Sequence, residues 1–223
     1  MTFYFSHIRL ARNPSARALA ALLRPTEIGA RVSAQHHLLW SVFADSSERE
    51  RDFLWREECD GSFLTLSLRP PLQTDLFELH QVKPYEPDLI PGQRLDFLLR
   101  ANATRMRRGG KREDVVKASI DALEQYERAG KRMEIASSEG RAWLERQGAK
   151  SGFSVMMAVA DDYMTRALPR PGAVRGNAMK IGVLDLSGCI EITDPTLFLK
   201  QMTQGFGRAK SFGCGLMLIR RPR

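Results

Sequence analysis

The stretch VSAQHHLLWSVFAD (residues 32–45) places Ser33, His36 and His37 at the head of an apolar run. Serine is a favoured helix N-cap, so a helix is predicted from about Val32 to Ala44, with His36 third in it and in the first turn. There the imidazole shares a stripe with Leu39, Trp40 and Phe43 and feels the positive end of the helix, which favours its neutral form. A neutral imidazole accepts a proton at neutral pH, the requirement for a general base. The same placement suits a half-buried packing histidine, and the residues alone leave both readings open. His37 projects about 100° away, toward solvent. His7 and His80, the remaining histidines, have no comparable setting.

Two basic segments could hold an anion. In RANATRMRRGGKR (residues 100–112) the cations Arg100, Arg105, Arg107, Arg108, Lys111 and Arg112 meet no acid until Glu113, and Gly109-Gly110 marks a hairpin tip. Such a run is either a solvated face or a cationic hairpin lying along nucleic-acid phosphates, where affinity comes from counterion release. In GFGRAKSFGCG (residues 205–215), Gly205, Gly207, Gly213 and Gly215 surround Arg208 and Lys210. Glycines let backbone N–H groups face a phosphate closely, and the two cations add charge. A plain helix-to-strand turn would read the same way. The loop matches neither a Walker A motif nor a dinucleotide fingerprint, because it follows a helix and leads into a strand.

The elements that must carry these residues follow from the rest of the pattern. The 223 residues have 43% hydrophobic content, enough for packed cores, and a net charge of +8 with pI about 9.7, which points to a polyanionic partner. No apolar run approaches the ~20 residues that cross a bilayer, so no membrane association and a cytoplasmic location are expected. Cys59, Cys189 and Cys214 are far apart, with no histidine at ligand spacing. Neither a disulfide framework nor a metal site is indicated, no cofactor is expected, and the thiols should be reduced and mostly buried.

Residues 3–11 alternate like a strand, and residues 51–58 and 62–70 form two more around an Asp60-Gly61 turn. Residues 76–84 suggest a further short strand, and proline-rich residues 84–92 a linker. Beyond it come a strand running into the basic hairpin, a helical stretch over 115–128, and a second helix ending at Gly148. Strands over 153–163 and 180–193, a helix capped by Asp194 with Pro195 in its first turn, and a strand over 216–220 complete the chain. The second half fits βαββαβ and the first half fits it less completely. The expected fold is therefore α+β, two tandem ferredoxin-like domains, residues 1–90 carrying the histidine and residues 91–223 carrying the hairpin and glycine-rich loop.

The C-terminal GFGRAKSFGCGLMLI, the segment PGQRLDFLLRANATRMRRGGKR and the histidine four residues before Trp40 together resemble the CasE family, the CRISPR repeat-RNA endoribonucleases of the type I-E system. The likeness runs from the first strand to the last, with residues 119–138 standing out as an insertion. It implies tandem ferredoxin-like domains that grip a CRISPR repeat stem-loop and cut precursor RNA to guide RNA without a metal. The ribose 2′-OH would attack the adjacent phosphate, leaving a 2′,3′-cyclic phosphate and a 5′-OH. The partners implied are repeat RNA, both precursor and mature, and the other subunits of the type I-E Cascade complex.

By the same resemblance His36 stands where the family's catalytic histidine stands. The glycine-rich loop, the hairpin and Lys180, at the start of its strand, fall on the RNA face. Relatives carry a tyrosine three residues before the histidine, whereas this chain has Ser33, a poor proton donor. Ser33 is counted with His36 at the catalytic site, and either another group, Tyr4 or His37, would give the proton or His36 would act with cationic stabilisation alone. A repeat-RNA-binding subunit that does not cleave is the alternative within the family. An unrelated basic RNA-binding protein of the same fold is the alternative outside it.

Overall fold

The structure is a computed structural model that describes residues 2–13, 28–44, 51–107, 109–168 and 179–222. The chain divides into two compact units. The first comprises Met1–Pro87, Arg166–Lys180 and Lys210–Gly213; the second comprises Asp88–Thr165, Ile181–Ala209 and Cys214–Arg223.

In the first unit β1 (Phe3–Ile8), α1 (Ile28–Phe43), β2 (Phe53–Glu57), β3 (Phe63–Ser67) and β4 (Gln81–Tyr85) build an antiparallel sheet in the order β2-β3-β1-β4. This is the strand order of a ferredoxin-like fold. Helix α1 buries Val32, Leu39, Val42 and Phe43 against Ile8, Phe53, Trp55 and Phe63. The Phe43 and Phe53 rings stack with centroids 4.4 Å apart. At the end of α1, Arg69 holds Asp52 through Nε at 2.9 Å and donates to the Phe43 carbonyl, placing a cation where the helix dipole is negative.

Two expectations change here. Helix α1 begins at Ile28, so Ser33 is an interior helical residue and does not cap it. Burial of Val32 in the core and a hydrogen bond from Gln35 Nε2 to Glu57 Oε1 (2.5 Å) hold the helix on both sides of Ser33, and these contacts outweigh a serine's capping preference. The strand expected over 76–84 forms later, as β4, which takes Pro84 and Tyr85 out of the expected linker. Phe77 makes only an isolated bridge to Leu10. Pro84 is tolerated because β4 lies at the edge of its sheet.

In the second unit β5 (Arg94–Ala101), β8 (Phe153–Leu168), β9 (Met179–Ile192) and β10 (Met217–Arg220) form a sheet ordered β10-β5-β9-β8, again ferredoxin-like. A separate hairpin of β6 (Thr104–Met106) and β7 (Arg112–Asp114) projects after β5. The helical stretch after it breaks into α2 (Val115–Asp121) and α3 (Arg128–Ser151). Gly148 is not the stop of α3: it lies inside the helix, where a Cβ would come within 2.4 Å of the Phe153 carbonyl oxygen. The chain reverses at Gly152, whose φ of +72° suits glycine. Helix α4 (Pro195–Gln204) is capped as expected, with Asp194 accepting from the Leu197 amide at 3.0 Å.

Candidate active site and nucleic-acid interface

His36 lies in the third turn of α1, half-buried, with its ring 6.4 Å from Phe53, 6.1 Å from Trp40 and 5.8 Å from His37. Its Nε2 is buried and has no hydrogen-bond partner among the described residues. Burial, then the charge of Arg51, then His37 push its pKa down to about 4. The expected neutral imidazole is present, but its cause is not the helix N-terminus, which lies two turns away. Desolvation of the cationic form and a nearby guanidinium take that role. His37 is exposed, and Ser33 lies partly exposed one turn before His36. Tyr4 pairs with Ser67 and Pro84 across the sheet, and no ring contact joins it to His36 among the described residues.

Arg51 is the functional candidate that the sequence pattern did not single out. It is half-buried, and its Nη1 donates to Ser211 Oγ at 3.1 Å. Ser211 belongs to the 3-10 turn Lys210–Phe212 inside the glycine-rich loop. Phe212 packs against the first unit's core, and a Cβ at Gly213 would sit 3.3 Å from the Trp55 ring. Nothing in the local sequence around Arg51 announces a partner 160 residues away.

Four amides of the loop are spent on α4, on β5 and its following residue, and on the loop itself. The amides of Gly205, Phe206, Arg208 and Gly215 donate to the carbonyls of Gln201, Gly215, Asn102 and Arg100, so these N–H groups do not face outward as a phosphate cradle requires. Phe206 is fully buried against Phe153, and Gly207, at φ +73°, passes so close to Asn102 that a Cβ would lie 2.8 Å from its carbonyl oxygen. Arg208 is the exposed cation of the loop, and Lys210 is half-buried.

On the hairpin, Arg105, Arg107, Lys111 and Arg112 are exposed, and Arg108 lies outside the described residues. Arg105 and Arg107 share the Glu113 carboxylate at 2.8 and 3.1 Å. Arg100 is held by Asp185 through two hydrogen bonds of 2.8 Å, a structural pairing on the sheet. Lys180 is exposed at the start of β9. The root of the hairpin is fixed by Asn102, which donates to the Gly182 carbonyl at 2.7 Å, and by Tyr163, whose hydroxyl donates to Asp114 at 3.0 Å. Burial raises the Asp114 pKa against the hydrogen bonds it accepts.

Among the described residues no cluster of His, Cys, Asp or Glu is placed to hold a metal ion, and no helix is long and apolar enough to cross a membrane. Of the three thiols only Cys214 is buried; Cys189 is half-buried and Cys59 exposed, which corrects the expectation that most are buried.

Residues 3–221 match a family described as "CRISPR associated protein". The chain is 26% identical to the "CRISPR-associated endoribonuclease Cse3" of Thermus thermophilus, over 95% of this chain and 97% of the relative. It is 28% identical to the "CRISPR system Cascade subunit CasE" of Escherichia coli, over 82% of this chain and 89% of the relative. Among solved structures, "Structure A of CRISPR endoribonuclease Cse3 bound to 19 nt RNA" shares the fold across all of both chains, with TM-score 0.70 at 24% identity.

Proposed function

As the chain belongs to the CRISPR associated protein family, we propose that it is an endoribonuclease that binds the CRISPR repeat stem-loop and cleaves precursor CRISPR RNA to guide RNA without a metal. Two relatives matched over most of their length support this reading, one named an endoribonuclease and the other a Cascade subunit. The observation that carries it is His36, a neutral, half-buried imidazole whose Nε2 has no hydrogen-bond partner among the described residues.

The reaction needs little more than this. The imidazole takes the 2′-OH proton, the alkoxide attacks the adjacent phosphorus, and the 5′-oxygen leaves with a proton returned by the imidazolium or by water. A 2′,3′-cyclic phosphate and a 5′-OH remain. Ser33, one turn from His36, is at most a hydroxyl near this step. Residues 1–90 carry the chemistry in this reading. Residues 91–223 carry the RNA contacts, through Arg105, Arg107, Arg108, Lys111 and Arg112 of the hairpin sequence, together with Lys180 and Arg208. The protein works in the cytoplasm, with the other subunits of a type I-E Cascade complex as its partners.

The test is cleavage of the cognate repeat RNA in excess EDTA, with end analysis for the cyclic phosphate. A 2′-deoxy ribose just upstream of the cut should abolish cleavage and preserve binding. Normal cleavage of that substrate overturns the mechanism, and binding without cleavage of the all-ribose RNA assigns the protein as a non-cleaving repeat-binding subunit.

A further inference from the structure

Arg51 differs from the other arginines around it. Arg9 pairs with Asp60 at 2.7 Å, Arg31 with Glu57 at 3.8 Å and Arg69 with Asp52 at 2.9 Å. Arg51 is half-buried, yet among the described residues no carboxylate pairs with it, not even its chain neighbour Asp52. A guanidinium taken partly out of water without an anion is costly, and an anionic ligand removes that cost. Burial lowers its pKa accordingly.

The position is as telling as the charge. Phe53, two residues on and the first residue of β2, stacks on the His36 ring, and the Arg51 charge acts on that imidazole. One of the five guanidinium donors is spent on Ser211, and the remaining fork suits two oxygens of a phosphate. We propose that Arg51, seated by Ser211 of the glycine-rich loop, binds the scissile phosphate beside His36 and stabilises the charge that develops on it during cleavage.

This rests on the endoribonuclease reading and gives the glycine-rich loop a different task. Phe212 anchors the loop in the first unit's core and Gly213 lets it press on Trp55, so Ser211 is held at a fixed place under the guanidinium. The loop orients a catalytic cation instead of cradling phosphate with its amides. As the 2′-oxygen bonds to phosphorus, the phosphoryl oxygens gain negative charge, and a preorganised bidentate cation stabilises that state more than the ground state. The proton leaves to His36 and the electron pair to the 5′-oxygen. Arg51 changes neither its protonation nor its bonding.

The experiment uses the full-length protein and repeat RNA from its own genomic array, in single-turnover cleavage. Arg51→Ala should slow cleavage about 10²- to 10³-fold with RNA affinity within a few-fold and an unchanged Tm. Arg51→Lys should recover part of the rate, because charge returns without the fork. Ser211→Ala should be milder, and Arg51→Ala/Ser211→Ala no slower than Arg51→Ala. The charge's place beside the imidazole has its own readout: the acid limb should shift to higher pH in Arg51→Ala, and the His36 imidazole, followed by NMR, should titrate higher. The NMR readout needs no cleavage, so it tests Arg51 even if the nuclease reading fails. An Arg51→Ala protein within threefold of wild type, with His36→Ala inactive, overturns the proposal and leaves the nuclease standing. An unmoved His36 titration also overturns it.

Discussion

Arg105 donates from Nε to Glu113 Oε1 at 2.8 Å directly across the β6–β7 pair, and Arg107 reaches the other oxygen of that carboxylate at 3.1 Å. The first acid after the run of cations thus folds back on two of them. Glu113 orders the hairpin and tempers its charge, so in the proposed RNA contact it sets how many cations act at full strength.

Glu113→Gln should therefore tighten repeat-RNA binding at low salt and steepen log Kd against log salt by up to about 1 to 2, since each phosphate contact contributes a little under one. Arg105→Ala with Arg107→Ala should flatten the same slope by a similar amount. Slopes that stay fixed in both variants would show the hairpin to be a solvated face.

His36→Ala should slow single-turnover cleavage by about 10²- to 10⁴-fold with affinity within a few-fold, the range for losing a general base. Cleavage within threefold of wild type would remove the assignment. Ser33→Ala is the contrast: Ser33 lies inside α1, so its loss should be neutral or stabilise by up to about 0.5 kcal/mol through helix propensity. A tenfold rate loss at unchanged Tm would instead make Ser33 a proton donor.

The depressed His36 pKa has two consequences with definite signs. Cleavage should hold its rate as pH falls below the usual histidine range and decline only toward pH 4, where the imidazole of the free protein protonates. Stability should fall over the window from 6.5 to about 4. There the unfolded chain binds a proton that the folded protein does not, whereas above 6.5 both forms are neutral. Melting curves of wild type and His36→Phe across this range check it, because the variant should lose that component of the slope.

Gly207→Ala separates packing from phosphate binding. At φ +73°, with a Cβ 2.8 Å from the Asn102 carbonyl oxygen, the alanine should cost about 1–3 kcal/mol. Thermal melts should show the loss, while the folded fraction keeps its RNA affinity. Loss of affinity at wild-type stability would restore the phosphate-cradle reading.

Much of the fold was legible because its signals are local. Asp194 with Pro195 announces the start of α4 within four residues, the Asp60-Gly61 and Gly109-Gly110 turns announce their hairpins, and alternation announces β1. The two misread helix ends share one cause. Ser33 and Gly148 carry the local signature of a helix end, but burial of Val32 and close packing of Gly148 on Phe153 carry the helices past them.

The sequence by itself determined the element order, the basic hairpin, the helix that carries His36 and the family likeness, since each is written in a short window or in spacing along the chain. Only the tertiary structure decided why His36 is neutral, which side chain Ser211 of the glycine-rich loop holds and which charge acts on the imidazole. Those depend on burial and on a hydrogen bond between residues 160 positions apart, Arg51 and Ser211. A local pattern cannot encode such a contact, because the free energy that forms it comes from closing the core around both ends.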